Sequence, residues 1–144
     1  MNRVIENRVF SPDEISVVAH DLVAVLADTS VLAFSGPLGA GKTTMVQSIL
    51  KQVGVDEVIQ SPTFTYVVTY EAQDGTLYHH FDLYRLSSVE DFLVSGFDEY
   101  LFQAGSKALI EWPEVIEPLL MHDTCHVLLD YEGTARRTLS CWCV

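Results

Sequence analysis

The apolar positions of this chain change period several times, and each change marks an element. Asn2 to Phe10 reads as a first strand. Ser11-Pro12-Asp13-Glu14 has the form of a helix start: Ser11 as N-cap, Pro12 at the first helical position, and Glu14 closing a capping box. Ile15, Val18, Ala19, Leu22, Val23 and Leu26 follow at helical spacing and predict one buried stripe. Val31-Leu32-Ala33-Phe34-Ser35 is a short apolar run, the pattern of a buried strand. From Thr44 to Val53 the spacing is helical again, with Met45, Ile49 and Val53 on one side and Gly54 as a stop.

Beyond Ser61-Pro62, which breaks the chain, the period falls to two. Phe64, Tyr66 and Val68 alternate with Thr65, Val67 and Thr69, which predicts a strand. Gln73-Asp74-Gly75 is a turn signal, and Thr76 to Asp82 is the returning strand. Ser87-Ser88-Val89-Glu90 reads as a second capping box, opening a short helix that Gly96 ends, and Asp98 to Gln103 as another short helix. Lys107 to Trp112 predicts a buried strand ending at an acid, and Pro113 opens a helix through Leu120. Thr124 to Tyr131 and Arg137 to Val144 form an antiparallel pair across residues 132–136. Alternating strands and helices without a linker or internal repeat imply one α/β domain over residues 1–144, a mixed and largely parallel sheet flanked by helices.

Composition narrows the function classes. The 144 residues suffice for one domain with a real core and are too few for two ordinary ones. Hydrophobic residues make up 49 % and charged residues 19 %, a globular balance. Eight Lys and Arg against twenty Asp and Glu give a net charge of −12, which argues against direct binding to a nucleic-acid backbone and suits a basic protein partner. No apolar run approaches the ~20 residues of a membrane span. Met1 to Glu6 lacks the core of a signal peptide. Cys125, Cys141 and Cys143 are odd in number and lack zinc-finger spacing, so a cytoplasmic protein with reduced thiols is expected, with Cys141 and Cys143 on one strand face.

The chemistry concentrates between the second predicted strand and the helix after it. Gly36-Pro37-Leu38-Gly39-Ala40-Gly41-Lys42-Thr43 fits G-x-x-x-x-G-K-[ST], the Walker A phosphate loop. Backbone N–H groups in such a loop cradle phosphate oxygens, and the helix dipole favours negative charge. Pro37 has no N–H to donate, so the phosphate-facing amides are expected from Gly39, Ala40, Gly41, Lys42, Thr43 and Thr44. Lys42 is expected to reach the β- and γ-phosphates, and the Thr43 hydroxyl to bind Mg²⁺.

Hydrolysis also needs a metal anchor and a group that orients the nucleophile. In open α/β sheets such groups sit at the carboxyl ends of strands. Asp82 and Glu111 each end a predicted strand and are the candidates for metal binding and water activation. Thr63 and Thr65, between the phosphate-loop helix and the next strand, occupy a switch-like position. His79 and His80 adjoin each other on a strand and so point to opposite faces, which disfavours a shared metal. Arg136, or Arg137 beside it, lies at a hairpin tip from which it could reach a nucleotide.

Four segments together resemble the TsaE (YjeE) family, the small P-loop ATPases of bacterial tRNA threonylcarbamoyladenosine biosynthesis. They are Gly36 to Thr44, Ser61-Pro62-Thr63-Phe64-Thr65, His80-Phe81-Asp82-Leu83-Tyr84-Arg85-Leu86 and Ile110-Glu111-Trp112-Pro113-Glu114. Their order and spacing extend the resemblance over nearly the whole chain. It implies an ATP- and Mg²⁺-dependent ATPase, slow alone, that resets or drives a complex of TsaB and TsaD, meeting tRNA only through those partners and no membrane. It also implies metal and hydrolytic roles for Asp82 and Glu111, and a place near the nucleotide and partner surface for Trp112. Pro37 departs from the family, which usually has aspartate there. The rivals are a small-molecule kinase, disfavoured by the lack of an Arg-rich lid; a GTPase, disfavoured by the lack of N-K-x-D and D-x-x-G; and a module that uses ATP only to hold a complex together.

Overall fold

Seven strands form one sheet in the order β1-β7-β6-β2-β5-β4-β3 in the computed structural model, which describes residues 2–144. The strands are β1 (Asn2–Phe10), β2 (Val31–Ser35), β3 (Val67–Glu71), β4 (Leu77–Asp82), β5 (Lys107–Glu111), β6 (Thr124–Glu132) and β7 (Arg136–Cys143). The inner pairings β6–β2, β2–β5 and β5–β4 are parallel, whereas the outer pairings β1–β7, β7–β6 and β4–β3 are antiparallel. The sheet is therefore mixed with a parallel centre, as expected.

Helices α1 (Ile15–Leu26) and α2 (Lys42–Gln52) cover one face. Helices α3 (Val89–Val94) and α4 (Phe97–Leu101), with a 3₁₀ segment at Pro113–Leu119, cover the other. The central strands alternate between two cores. Leu32 and Phe34 of β2 and Leu109 of β5 pack with Leu22, Met45 and Ile49 under α1 and α2. Val31 and Ala33 of β2 and Ala108 and Ile110 of β5 pack with Phe92, Leu101 and Ile116. Burial on both faces is why these strands read as continuous apolar runs. Each fully buried Leu, Ile or Phe contributes ~2 kcal/mol, so the two cores fix the centre of the sheet firmly.

The Ser11–Glu14 capping box forms as expected, with one 3₁₀ turn, Pro12–Glu14, preceding α1. Elsewhere the boundaries differ. The strand expected over 64–69 begins only at Val67: residues 63–66 form a turn, closed by the Tyr66 amide donating to the Pro62 carbonyl at 2.8 Å. Tyr66 takes φ +67° there, and Phe64 is 79 % exposed, so its apolar alternation had no core to face. The second cap is Ser88, whose hydroxyl accepts from the Asp91 amide, one residue later than the box drawn on Ser87 and Glu90. The helix expected over Asp98–Gln103 is Phe97–Leu101, and that expected from Pro113 through Leu120 is 3₁₀ and ends at Leu119, with Pro118 inside it. Proline removes a helical donor, which accounts for the tighter, kinked winding.

The thiol expectation is overturned. Cys125 and Cys143 face each other in the β6–β7 register, Cα atoms 4.0 Å apart, and are joined by a disulfide. Cys141 alone is free; it is buried in the α1–α2 core, against which Cys143 also packs. Which residues oppose each other depends on hairpin register, and composition carries no register. The cysteine argument for a reducing compartment falls with it. Among the described residues no helix is long and apolar enough to cross a membrane.

Candidate functional site

The Gly36–Thr43 loop leaves β2 and enters α2, and two contacts from β6 shape it. Gly36 has φ +142°, and a Cβ there would lie 2.1 Å from the Leu129 carbonyl oxygen, so only glycine fits. The Tyr131 hydroxyl donates to the Leu38 carbonyl and stands where a side chain on Gly39 would go. Gly41, at φ +100°, is the N-cap of α2. The first turn of α2 thus begins at Lys42, with the helix N-terminus facing the loop's concavity, the arrangement that suits an anion.

Parallel register brings the acids to the same place. Phe34 at the end of β2 pairs with Glu111, and Glu111 pairs with Asp82 on β4. Both carboxylates therefore lie at the carboxyl edge of the sheet beside the loop. Together with Leu38, Gly39, Gly41, Lys42, Thr43, Thr44, Ser61, Thr63, Tyr84, Arg85 and Trp112 they line one cavity of about 460 Å³, within the usual size range of small-molecule pockets.

Hydrogen bonds fix the acids from several sides. The Thr43 hydroxyl donates to Glu111 Oε1 at 2.7 Å, and His80 Nε2 lies 2.6 Å from Glu111 Oε2. Asp82 Oδ1 accepts from the Tyr84 amide at 3.1 Å, and the Thr63 hydroxyl stands 3.5 Å from Oδ2. The Asp82 amide donates to the Tyr66 carbonyl, which stitches the Thr63 turn to the end of β4.

Lys42 folds back on its own loop. Its Nζ donates to the carbonyls of Gly36 at 2.5 Å and Pro37 at 3.2 Å, and lies 3.7 Å from the centroid of the Trp112 ring. Burial pushes the Lys42 pKa down, opposed by the charges of Glu111, Glu114 and Asp82. Trp112 leaves β5 at φ +57°, a conformation rare for a bulky side chain, and rests against Tyr84 at 4.8 Å between ring centroids. The turn aims the indole over Lys42 of the Gly36–Thr43 loop instead of continuing the strand.

The donor set is that of a hard cation. A threonine hydroxyl and two carboxylates are oxygen ligands of the kind Mg²⁺ takes, and Mg²⁺ at a nucleotide normally uses only one or two protein groups beside phosphate oxygens and water. This agrees with a second observation. Among the described residues no cluster of three or more His, Cys, Asp or Glu side chains could hold a metal ion by itself. The residues present fit a magnesium–nucleotide.

Three expected residues stand apart from the cavity. The Ala40 amide, counted among the phosphate donors, donates instead to the Pro37 carbonyl at 3.1 Å and so closes the loop on itself. Thr65 is exposed in the turn and does not line the cavity, unlike Thr63. Arg136 pairs with Glu132 across the β6–β7 hairpin and is absent from the lining, while Arg137 stacks over Tyr131 at 4.7 Å. Four contributions were not foreseen from the residues: Tyr131 as a brace of the loop, Tyr84 under Trp112, Arg85 over the Phe64 ring at 4.8 Å, and His80 against Glu111. Only the spacing of His80 and Asp82, two apart and so on one strand face, hinted at any of them.

The two histidines diverge as their adjacency requires. His79 Nδ1 meets the Thr69 hydroxyl and its Nε2 meets Gln103 Oε1, each at 2.7 Å, on the other face of β4.

Comparison with known proteins adds a lineage to this geometry. The family described as Threonylcarbamoyl adenosine biosynthesis protein TsaE matches residues 9–139. Relatives described as tRNA threonylcarbamoyladenosine biosynthesis protein TsaE include three from different bacteria. That of Rickettsia conorii is 38 % identical over 131 residues, covering 90 % of this chain and 73 % of the relative. That of Bacillus subtilis is 32 % identical over 134 residues, covering 92 % and 82 %. That of Haemophilus influenzae is 34 % identical over 134 residues, covering 88 % and 84 %. Among solved structures, YdiB of Bacillus subtilis superposes with a TM-score of 0.69 at 27 % identity, covering 96 % of this chain and 87 % of that one.

Proposed function

The chain belongs to the TsaE family of tRNA threonylcarbamoyladenosine biosynthesis proteins, and we propose that within that system it is a Mg²⁺-dependent ATPase acting on the TsaB–TsaD complex. The observation that carries the proposal is the convergence of Lys42, Thr43, Asp82 and Glu111 on one cavity at the N-terminus of α2.

Each group has a task in this reading. Gly39, Gly41, Thr43 and Thr44 line the helix terminus and receive phosphate, and Lys42 exchanges its two loop carbonyls for phosphate oxygens. Thr43 and Asp82 supply oxygens to Mg²⁺, which when bound neutralises charge on the phosphates. Glu111 accepts hydrogen bonds only, so it orients and polarises the attacking water. Trp112 closes over Lys42 and screens that end of the site from solvent.

Little in this arrangement commits the chain to rapid turnover. No arginine lies among the lining residues except Arg85, whose guanidinium is held over Phe64. A cationic group supplied by a partner can raise phosphoryl-transfer rates by about 10³–10⁵, and slow hydrolysis by the isolated chain is expected. With a net charge of −12, the chain meets tRNA through its partners, not by its own surface.

The test is ATP hydrolysis by the purified chain, alone and with TsaB–TsaD. Strong stimulation by the pair, lost in Lys42→Ala, supports the proposal. Normal tRNA modification in cells carrying only Lys42→Ala would refute it.

A further inference from the structure

His80 is the most completely enclosed polar side chain near the cavity. It has no exposed surface, its Nε2 lies 2.6 Å from Glu111 Oε2, and its Nδ1 has no partner among the described residues. A buried polar atom left bare is costly, so the ring is not held there by satisfaction of both nitrogens. Its one polar side-chain contact among the described residues is to Glu111.

The chemistry of that contact fixes the tautomer. An ionised carboxylate only accepts, so the proton between the two groups is on Nε2. A neutral imidazole with its proton on Nδ1 would set two lone pairs against each other in a buried site. Nε2–H therefore donates to Oε2, and Nδ1 is left without a partner among the described residues. The other carboxylate oxygen, Oε1, is then turned toward Thr43 and the cavity. His80 and Asp82 lie two residues apart on β4, beside Leu109 and Glu111 of β5. The strand that carries one acid of the site thus also carries the group that orients the other.

We propose that His80 is a positioning residue for Glu111, its Nε2–H holding Oε2 so that Oε1 faces the space shared by Thr43 and Asp82. When the Thr43 hydroxyl turns to a cation, Oε1 loses its donor, while Oε2 keeps His80. The carboxylate consequently stays aimed at the cavity through the exchange. The proposal rests on the nucleotide reading of the site.

The test compares His80→Gln, whose amide N–H can replace the Nε2 donor, with His80→Phe, which fills the space without a donor. Two readouts are taken on the full chain: the Mg²⁺ concentration needed for half-maximal binding of a fluorescent ATP analogue, and kcat and KM for ATP. Removal of an outer-shell partner typically costs ten- to a hundredfold in metal affinity or activity, so in His80→Phe the half-maximal Mg²⁺ concentration is expected to rise about tenfold or more, kcat to fall by a similar factor, or both, with KM for ATP little changed. His80→Gln is expected to recover most of that loss.

Wild-type behaviour of His80→Phe in both readouts, or equal impairment of the two variants, overturns the proposal. Failure of the wild type to turn over ATP even with partners sinks the ATPase reading, and the Mg²⁺ titration then decides the role of His80 by itself. Should His80→Phe not fold, the imidazole ¹H–¹⁵N spectrum of the wild type decides instead. An Nε2–H tautomer at His80 that shifts in Glu111→Gln supports the proposal, and an Nδ1–H tautomer overturns it.

Discussion

The Thr43 hydroxyl donates to Glu111 Oε1 at 2.7 Å, tying the first turn of α2 to the end of β5. The two groups are separated by 68 residues, and each satisfies the other. Replacing the carboxylate by an amide keeps the size and the Thr43 contact while removing the charge. Glu111→Gln is therefore expected to retain nucleotide binding and to lower stimulated ATP turnover by about a hundredfold or more, the scale of a lost general base. Parallel binding titrations and single-turnover hydrolysis separate the two quantities. Unchanged turnover would remove Glu111 from the chemistry.

Trp112 reports on the loop directly. Its indole lies against Lys42 Nζ at 3.7 Å and against Tyr84. Under the proposed function, ATP would draw the ammonium onto phosphate and remove the cation from the ring face. In a Trp142→Phe background, where Trp112 is the single tryptophan, emission is expected to change on adding ATP. In a Trp112→Phe background the Trp142 signal, from a ring stacked on His126 in the β6–β7 strands, is expected to stay constant.

Gly36→Ala probes the loop's packing against β6. The new methyl would lie 2.1 Å from the Leu129 carbonyl oxygen at a backbone conformation of φ +142°. Backbone has to move, and a cost of about 3 kcal/mol or more is expected from strain and overpacking together. Thermal or urea denaturation measures it. Gly41→Ala meets no atom within 4 Å and pays only for its positive φ, so it should be the milder of the two.

The Cys125–Cys143 bond closes a loop across a sequence separation of 18 residues. Loop-closure entropy predicts that the bond contributes about 3 kcal/mol of stability. Melting with and without reductant checks this, with Cys125→Ser/Cys143→Ser as the control that reductant no longer affects. Burial pushes the Cys141 thiol pKa up to about 11. The native oxidised protein should thus resist alkylation at pH 8, and the unfolded oxidised chain should take up one label.

His79 gives the fold a pH dependence of defined sign. Burial holds its pKa below the ordinary value of 6.5, against the Gln103 hydrogen bond that raises it. The unfolded chain therefore binds the proton first as pH falls. The stability due to neutral His79 is complete above pH 6.5, and it is lost as pH drops from there toward the lower folded value. His79→Gln is expected to flatten that part of the stability curve in urea titrations at several pH values, and to leave the part above pH 7 unchanged in slope.

What could be read without coordinates had a local cause. The Ser11–Glu14 cap and the phosphate loop depend on residues a few positions apart, so composition and spacing suffice. The placement of Asp82 and Glu111 at strand ends was also legible, since strand polarity and an apolar run locate a terminus. The Phe64–Thr69 alternation misled because period two says which side chains share a face, not whether a face is buried. Cap position moved from Ser87 to Ser88 because two adjacent serines offer the same side chain, and local spacing does not choose between them.

Most of the chain's elements, the Gly36–Thr43 glycine pattern and the two acids at strand ends were legible from neighbours in the chain. Tertiary structure alone decided which of these meet. Parallel register set Asp82 beside Glu111 and brought both to Thr43. The β6–β7 hairpin put Leu129 and Tyr131 against the loop, closed Cys125 onto Cys143, and carried Arg136 away from the cavity. The His80–Glu111 contact joins residues 31 positions apart on adjacent strands. Such contacts depend on strand order and register, which are set by how two buried faces pack at once, and no local pattern records them.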